Sequence, residues 1–218
     1  MKYESVIFDL DGTLLNTIAD LGNAVNQALV QLGLPTWTME DYRWKVGNGV
    51  MKLFERSLPE ELRTPIYINK VKDLFTPYYE AHGRDATRPY SGIPELLSSL
   101  AAAGVCLAVA SNKYDAAVKK LIPFYFPETP WAAVCGNREG QPVKPDPAIV
   151  NAIIAAGGMR RETTLYVGDS NVDMRTAHNA GIAACGVTWG FRPRTELEAE
   201  HPEYLADRPE EIFRIVEG

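Results

Sequence analysis

The sequence predicts an α/β protein: a parallel sheet with helices on both faces, interrupted after its first strand by an all-helical insertion. Three observations carry this expectation. Short apolar runs recur at Ser5–Phe8, 105–110, 131–135, 165–167 and 182–187, the pattern of strands buried on both faces. Stretches of helical periodicity separate the later runs, so strand and helix alternate. Between the first run and the second, residues from roughly 17 to 83 show helical patterning throughout.

Each element has its own local reason. The run Ser5–Phe8 ends in Asp9-Leu10-Asp11-Gly12-Thr13, a buried strand entering a glycine turn. From 18 to 32, Ile18, Leu21, Val25, Ala28, Leu29 and Leu32 share a helical face, and Gly33 stands where a helix stops. Thr38 to Asp41 has the form of a capping box with Asp in place of Glu, predicting a short helix up to Val46. Gly47-Asn48-Gly49 is a flexible turn, and helical patterning resumes over 50–58 and 65–81. The polar segment 84–89 reads as a linker. Ile93, Leu96, Leu97 and Leu100 line the next helix, which Gly104 closes. Helices are expected at 114–122, 147–156 and 172–180, the second with Asp146 as N-cap and Pro147 at its first position. The expected domains are therefore 1–16 with 84–218 as the α/β core, and 17–83 as the insertion.

Composition narrows the classes. With 218 residues, 46% hydrophobic and 23% charged, the chain is globular rather than disordered. A net charge of −6 without a Lys/Arg block gives no nucleic-acid face. No apolar run approaches the ~18 residues of a membrane span. Met1-Lys2-Tyr3-Glu4 leads directly into a strand without a signal-type apolar region, so a cytoplasmic protein is expected. Cys106, Cys135 and Cys185 lack metal-ligand spacing and read as structural thiols. His82, His178 and His201 have no metal-ligand company. Trp189-Gly190-Phe191 either packs under a site or belongs to the core.

In an open parallel sheet, ligands bind beyond the carboxyl ends of the strands. Four polar clusters stand at or near such ends: Asp9-Leu10-Asp11-Gly12-Thr13, Ser111-Asn112, Lys144-Pro145-Asp146 and Gly168-Asp169-Ser170-Asn171-Val172-Asp173. These residues, in this order, resemble the haloacid dehalogenase superfamily over nearly the whole chain. The resemblance implies a Rossmann-like core, a helical cap domain and a Mg²⁺-dependent phosphatase acting on a small phosphorylated metabolite. It implies Asp9 as covalent nucleophile and Asp11 as proton shuttle. It also implies a metal held by the side chains of Asp9 and Asp169 and the carbonyl of Asp11, with Asp173 supporting a water or Lys144. Ser111 and Lys144 are the expected phosphate-binding groups, with Asn112 and Thr13 as further candidates. Thr13 either orients Asp9 or only forms the turn.

The chemistry is consistent with those residue types. A carboxylate nucleophile splits phosphoester hydrolysis into two easier steps. It also repels a phosphate dianion, and a hard cation on oxygen ligands relieves that repulsion. Departures from related patterns narrow the activity. Asp11 is not needed by dehalogenases or phosphonatases. The helix over 18–32 contains neither the lysine of phosphonatases nor, near its start, the histidine of sugar phosphomutases. The stretch Trp44-Lys45-Val46-Gly47-Asn48-Gly49 looks like the cap loop of phosphoglycolate phosphatases, so Lys45, Gly47, Asn48 and Gly49 are expected to set specificity. Arg43, Lys52 and Arg56 are nearby cations of the same segment. Pyrophosphatase, nucleotidase and broad small-phosphoester activity remain as alternatives, as does a phosphate-binding protein with a vestigial site. Monomer and homodimer both remain open.

Overall fold

Every residue of the first strand, β1 (Ser5–Phe8), is buried, because the strand lies inside a six-stranded sheet. The computed structural model describes residues 1–218. After β1 come β2 (Leu15–Asn16), α1 (Ile18–Gln31), α2 (Met39–Lys45), α3 (Val50–Ser57), α4 (Pro65–His82) and β3 (Arg88–Pro89). There follow α5 (Ile93–Ala102), β4 (Cys106–Tyr114), α6 (Asp115–Tyr125), β5 (Trp131–Asn137), α7 (Ala148–Gly157) and β6 (Thr164–Gly168). The chain ends with α8 (Asn171–Ala180), β7 (Ala183–Val187), α9 (Arg194–Glu198), β8 (Tyr204–Ala206) and α10 (Pro209–Glu217). No helix is long and apolar enough to cross a membrane.

The chain divides into two compact units, Met1–Leu15 with Pro89–Gly218, and Asn16–Arg88. The first holds the sheet, in the order β5-β4-β1-β6-β7-β8, and every adjacent pair is parallel. Alternation along the strands feeds two separate cores. Val6, Phe8, Leu107, Val109, Leu165 and Val167 face one side, where α5, α6 and α10 supply Leu97, Ile122 and Ile212. Ile7, Ala108, Ala110 and Tyr166 face the other, against Val150, Ile153, Met174 and Leu197. Burying one such large side chain is worth about 1.5–3 kcal/mol. A one-residue slip would exchange the two sets, so the packing fixes the register. The elements β8, α9 and α10 were not anticipated, and β4 runs to Tyr114 rather than ending at 110.

The helix over 148–157 begins one residue later than expected, with Pro147 at the cap. The Asp146 carboxylate still accepts from the Ala148 N–H at 2.9 Å, the bond for which an acidic cap is selected.

The second unit packs α1 to α4 around Leu21, Val25, Leu29, Tyr42, Phe54 and Phe75. The end of α1 closes as a Schellman motif: Leu34 N–H donates to Leu29 O and Gly33 N–H to Val30 O. The capping box of Thr38 and Asp41 opens α2. This unit runs to Arg88 rather than stopping at 83. The reason is Asp20, 4% exposed, whose carboxylate accepts from the Ala86 N–H at 2.9 Å, the Thr87 N–H at 2.8 Å and the Thr87 hydroxyl at 2.7 Å. A polar stretch that reads as a free linker is thus tied to α1.

Candidate active site

Sheet register decides where the polar clusters meet. Phe8 lies opposite Val109 of β4 and Val167 of β6, so Asp9, Ser111 and Asp169 emerge at one end of three neighbouring strands. The chain reaches β4 on one side of β1 and β6 on the other, the crevice at which open α/β sheets bind ligands.

Alternation sends Asp9 toward the face of Ile7, the face that Tyr166 shares. There the Lys144 ammonium, 2% exposed, donates to Asp173 Oδ1 at 2.7 Å, Asp9 Oδ1 at 2.8 Å, Tyr166 Oη at 2.9 Å and the Ala110 carbonyl at 3.0 Å. An ammonium carries three protons, so the four acceptors share them. Burial pulls this ammonium toward neutrality, but Asp173 and Asp9 outweigh it and hold Lys144 well above its ordinary pKa.

The Lys144 backbone is fixed separately. Asn112 Nδ2 donates to Lys144 O at 3.0 Å, and Lys144 N–H donates to Asn112 Oδ1 at 2.8 Å. The Asn112 amide, expected among the phosphate-binding groups, is therefore committed to holding the lysine. Ser111 is buried, and its Oγ accepts from the Lys113 N–H at 3.2 Å.

Asp9, Asp169 and Asp173 present carboxylate oxygens that lie within 4.8 Å of one another. Three buried carboxylates around one ammonium leave excess negative charge, which is costly away from water. Burial pushes the Asp9 carboxyl up to about 7 against the pull of Lys144, with Asp173 and Asp11 adding to the rise. Burial likewise lifts Asp169 well above the usual carboxylate range, helped by Asp173 and Asp9. Asp173 has both oxygens engaged, Oδ1 by Lys144 and Oδ2 by the Ser170 hydroxyl at 2.6 Å in the capping box of α8. Asp169 Oδ2 accepts from the Phe191 N–H at 2.7 Å. Asp9 Oδ2 and Asp169 Oδ1 are thus the oxygens left for a cation, and an all-oxygen donor set with surplus charge fits a hard divalent ion.

The backbone approaches Asp169 closely. A Cβ on Gly12 (φ +94°) would sit 2.2 Å from Asp169 Oδ2, and one on Gly190 would sit 2.2 Å from Asp169 Cβ. Trp189 Nε1 donates to Thr13 O at 3.0 Å. The segment Trp189-Gly190-Phe191 therefore packs under the site. Thr13 N–H bonds back to Leu10 O, and its buried hydroxyl has no hydrogen-bond partner. Thr13 thus shapes the turn without bonding Asp9.

Asp11 stands apart from the carboxylate group. Its two oxygens lie 3.1 and 3.2 Å from Lys113 Nζ. Lys113, itself buried, has no counterpart in the motif reading. It occupies the irregular end of β4, where pairing to β5 shifts between Ala110 and Tyr114.

Within the helical unit, the Lys45 ammonium lies 3.5 Å from the centroid of the Trp37 ring and donates to Arg56 O at 3.2 Å. Arg56 in turn donates to Lys45 O at 3.1 Å and Asn48 Oδ1 at 2.8 Å. Gly47, Asn48 and Gly49 have φ of 110°, 56° and 85°, so the loop needs residues tolerant of the left-handed region. Lys45, expected as a specificity cation, is thereby engaged in holding that loop.

The charge surplus gives a sign for stability. A carboxyl with a higher pKa folded than unfolded binds its proton more tightly in the native state. Metal-free stability should therefore fall as pH rises from the ordinary ~4 through about 7. Asp169→Asn removes one buried charge and keeps an acceptor for Phe191. In chelator at about pH 8, that variant should exceed the wild type by about 1 kcal/mol or more in thermal unfolding. A less stable variant would contradict the excess charge.

Fold and site together define an α/β enzyme whose carboxylate and lysine centre lies at the ends of parallel strands. The chain belongs to the haloacid dehalogenase-like hydrolase family, whose model matches residues 6–187. It is 31% identical over 216 residues to a phosphoglycolate phosphatase of Vibrio parahaemolyticus, covering 97% of this chain and 95% of the relative. It is 34% identical over 204 residues to one from Agrobacterium fabrum, covering 89% and 85%. A solved structure from Lactobacillus delbrueckii subsp. bulgaricus, which carries a provisional phosphoglycolate phosphatase assignment, matches with a TM-score of 0.93 at 33% identity and 99% coverage of both chains.

Proposed function

We propose that this protein is a Mg²⁺-dependent phosphatase of a small phosphate monoester, phosphoglycolate foremost, acting through an aspartyl-phosphate on Asp9. One observation carries the reading. Asp9 has one oxygen on Lys144 and lies within the carboxylate group, while Asp11, two residues on, is held outside it by Lys113. Two carboxylates in such different surroundings can divide nucleophilic and proton-transfer work.

Asp9 attacks phosphorus, the bond from phosphorus to the leaving oxygen breaks, and Asp11 gives that oxygen its proton. Water then attacks the acyl phosphate and passes a proton to Asp11, which releases phosphate and restores the Asp9 carboxylate. The Ser111 hydroxyl and the Lys144 ammonium hold phosphoryl oxygens. The side chains of Asp9 and Asp169 with the Asp11 carbonyl would hold Mg²⁺, which when bound offsets the repulsion between nucleophile and phosphoryl group. Asp173, with both oxygens engaged, supports Lys144 rather than the metal. Core and helical cap divide the work: the cap loop at Gly47, Asn48 and Gly49 selects the substrate through its backbone, with Lys45 maintaining its shape. The curated relatives' names favour phosphoglycolate over pyrophosphate, nucleotides and sugar phosphates. A cytoplasmic location and a free metabolite as substrate go with this proposal.

Two measurements test this. Mg²⁺ at a hundred times its Kd should stabilise the fold by about 2.7 kcal/mol, seen as a higher Tm, and Asp169→Asn should remove that gain. Among phosphorylated metabolites, kcat/KM should be highest for phosphoglycolate. A tenfold preference for another phosphoester, on the order of 1.4 kcal/mol in transition-state binding, would displace it. Absence of Mg²⁺-dependent turnover of any phosphoester would remove the phosphatase reading itself.

A further inference from the structure

Lys113 is a buried cation that none of the four motifs uses. Its side chain is 6% exposed, and it faces the more open Asp11 side chain, 15% exposed, near both carboxylate oxygens. Such a contact fixes both the position and the rotation of the carboxyl plane. The chain also goes out of its way to form it. Five residues of β4, from Ala110 to Tyr114, span the same register as the three from Cys135 to Asn137 of β5, and this bulge re-aims the side chains after Ser111. Gly136 permits that path, since a Cβ there would meet the Lys113 carbonyl and the Asp115 backbone at 2.6 Å.

Asp11 needs such a holder. It lies two residues from Asp9, beside three buried carboxylates, yet is absent from their group. We propose that Lys113 is a positioning residue, which holds the Asp11 carboxyl clear of the Asp9, Asp169 and Asp173 group and in register with the leaving oxygen. This rests on the phosphatase reading, in which Asp11 protonates that oxygen. Proton delivery matters most for a poor leaving group. Lys113 therefore governs how steeply the rate depends on the leaving group, without itself touching the phosphoryl group.

The test compares an alkyl phosphate with p-nitrophenyl phosphate, whose leaving group departs without an acid. General acid catalysis supplies about 10²–10⁴-fold, and Lys113→Met should forfeit part of this. Its kcat on the alkyl phosphate should fall at least about tenfold further than on p-nitrophenyl phosphate, with little change in KM. Lys113→Arg should recover part of the loss. Because the two side chains act as one unit, Lys113→Met placed on Asp11→Asn should add little further loss. Circular dichroism melts check that the variants fold, and Lys113→Gln serves should Met not.

Equal losses on both substrates, a rise in KM shared by both, or additive losses in the double variant would overturn the positioning role. Failure of the wild type to turn over either substrate with Mg²⁺ would instead sink the phosphatase reading, and this inference with it.

Discussion

Lys144→Met should cost the protein about 3–5 kcal/mol of stability, the scale for removing one partner of a buried ion pair. The ammonium is the only cation bonded to Asp9 and Asp173, and it also satisfies Tyr166 and the Ala110 carbonyl. Methionine fills a similar volume but leaves two carboxylates facing each other in a dry site. Urea unfolding in chelator measures the loss. Asp173→Asn on the same chain should restore part of it, because the two changes share one network. A loss under about 1 kcal/mol would mean that water reaches the lysine and that the pair is not buried as described.

The second large effect falls on turnover rather than on folding. Asp9→Asn should abolish hydrolysis by several orders of magnitude, as removal of a covalent nucleophile does. Stability in chelator should change little, or rise. The amide still accepts from Lys144, and burial already works against the charge that the substitution removes, pushing the Asp9 pKa up to about 7. Steady-state rates and melting curves on the same preparation separate the two outcomes. Substantial activity in a well-folded variant would remove Asp9 from its role.

Much of the fold was legible because it rests on local patterns. Apolar runs of alternating address specify strands that feed two cores, and Gly33 and the Thr38 capping box mark helix ends by chemistry visible within a few residues. The edge elements were not legible. Tyr204–Ala206 is a three-residue strand, too short for a period to register, and its place depends on pairing with β7. Residues 84–89 read as a linker because the Asp20 carboxylate, which holds Ala86 and Thr87, is distant in sequence.

The same distinction holds in the site. Asp9, Asp169 and Lys144 stand at strand ends or in a loop where their chemistry announces itself. Lys113 was hidden because the apolar run stops at Ala110, and a bulge that carries Ser111 to Lys113 onward leaves no periodic trace. Asn112 looked like a phosphate ligand beside Ser111, yet its partner is the main chain of Lys144. The support of Asp169 by Phe191 comes from a backbone N–H, which no residue type encodes. Lys45 was read as a residue that sets specificity. The ring that it covers, Trp37, and the carbonyl of Arg56 become visible only in three dimensions.

The covalent intermediate can be examined directly. The protein is mixed with a ³²P-labelled phosphate monoester and Mg²⁺, quenched in acid within one turnover, and digested. The label should appear on the peptide that contains Asp9, be released by hydroxylamine as an acyl phosphate is, and form as fast as turnover. It should be absent from Asp9→Asn. Label on any other residue, or rapid turnover with no labelled peptide at any time, would contradict Asp9 as the nucleophile.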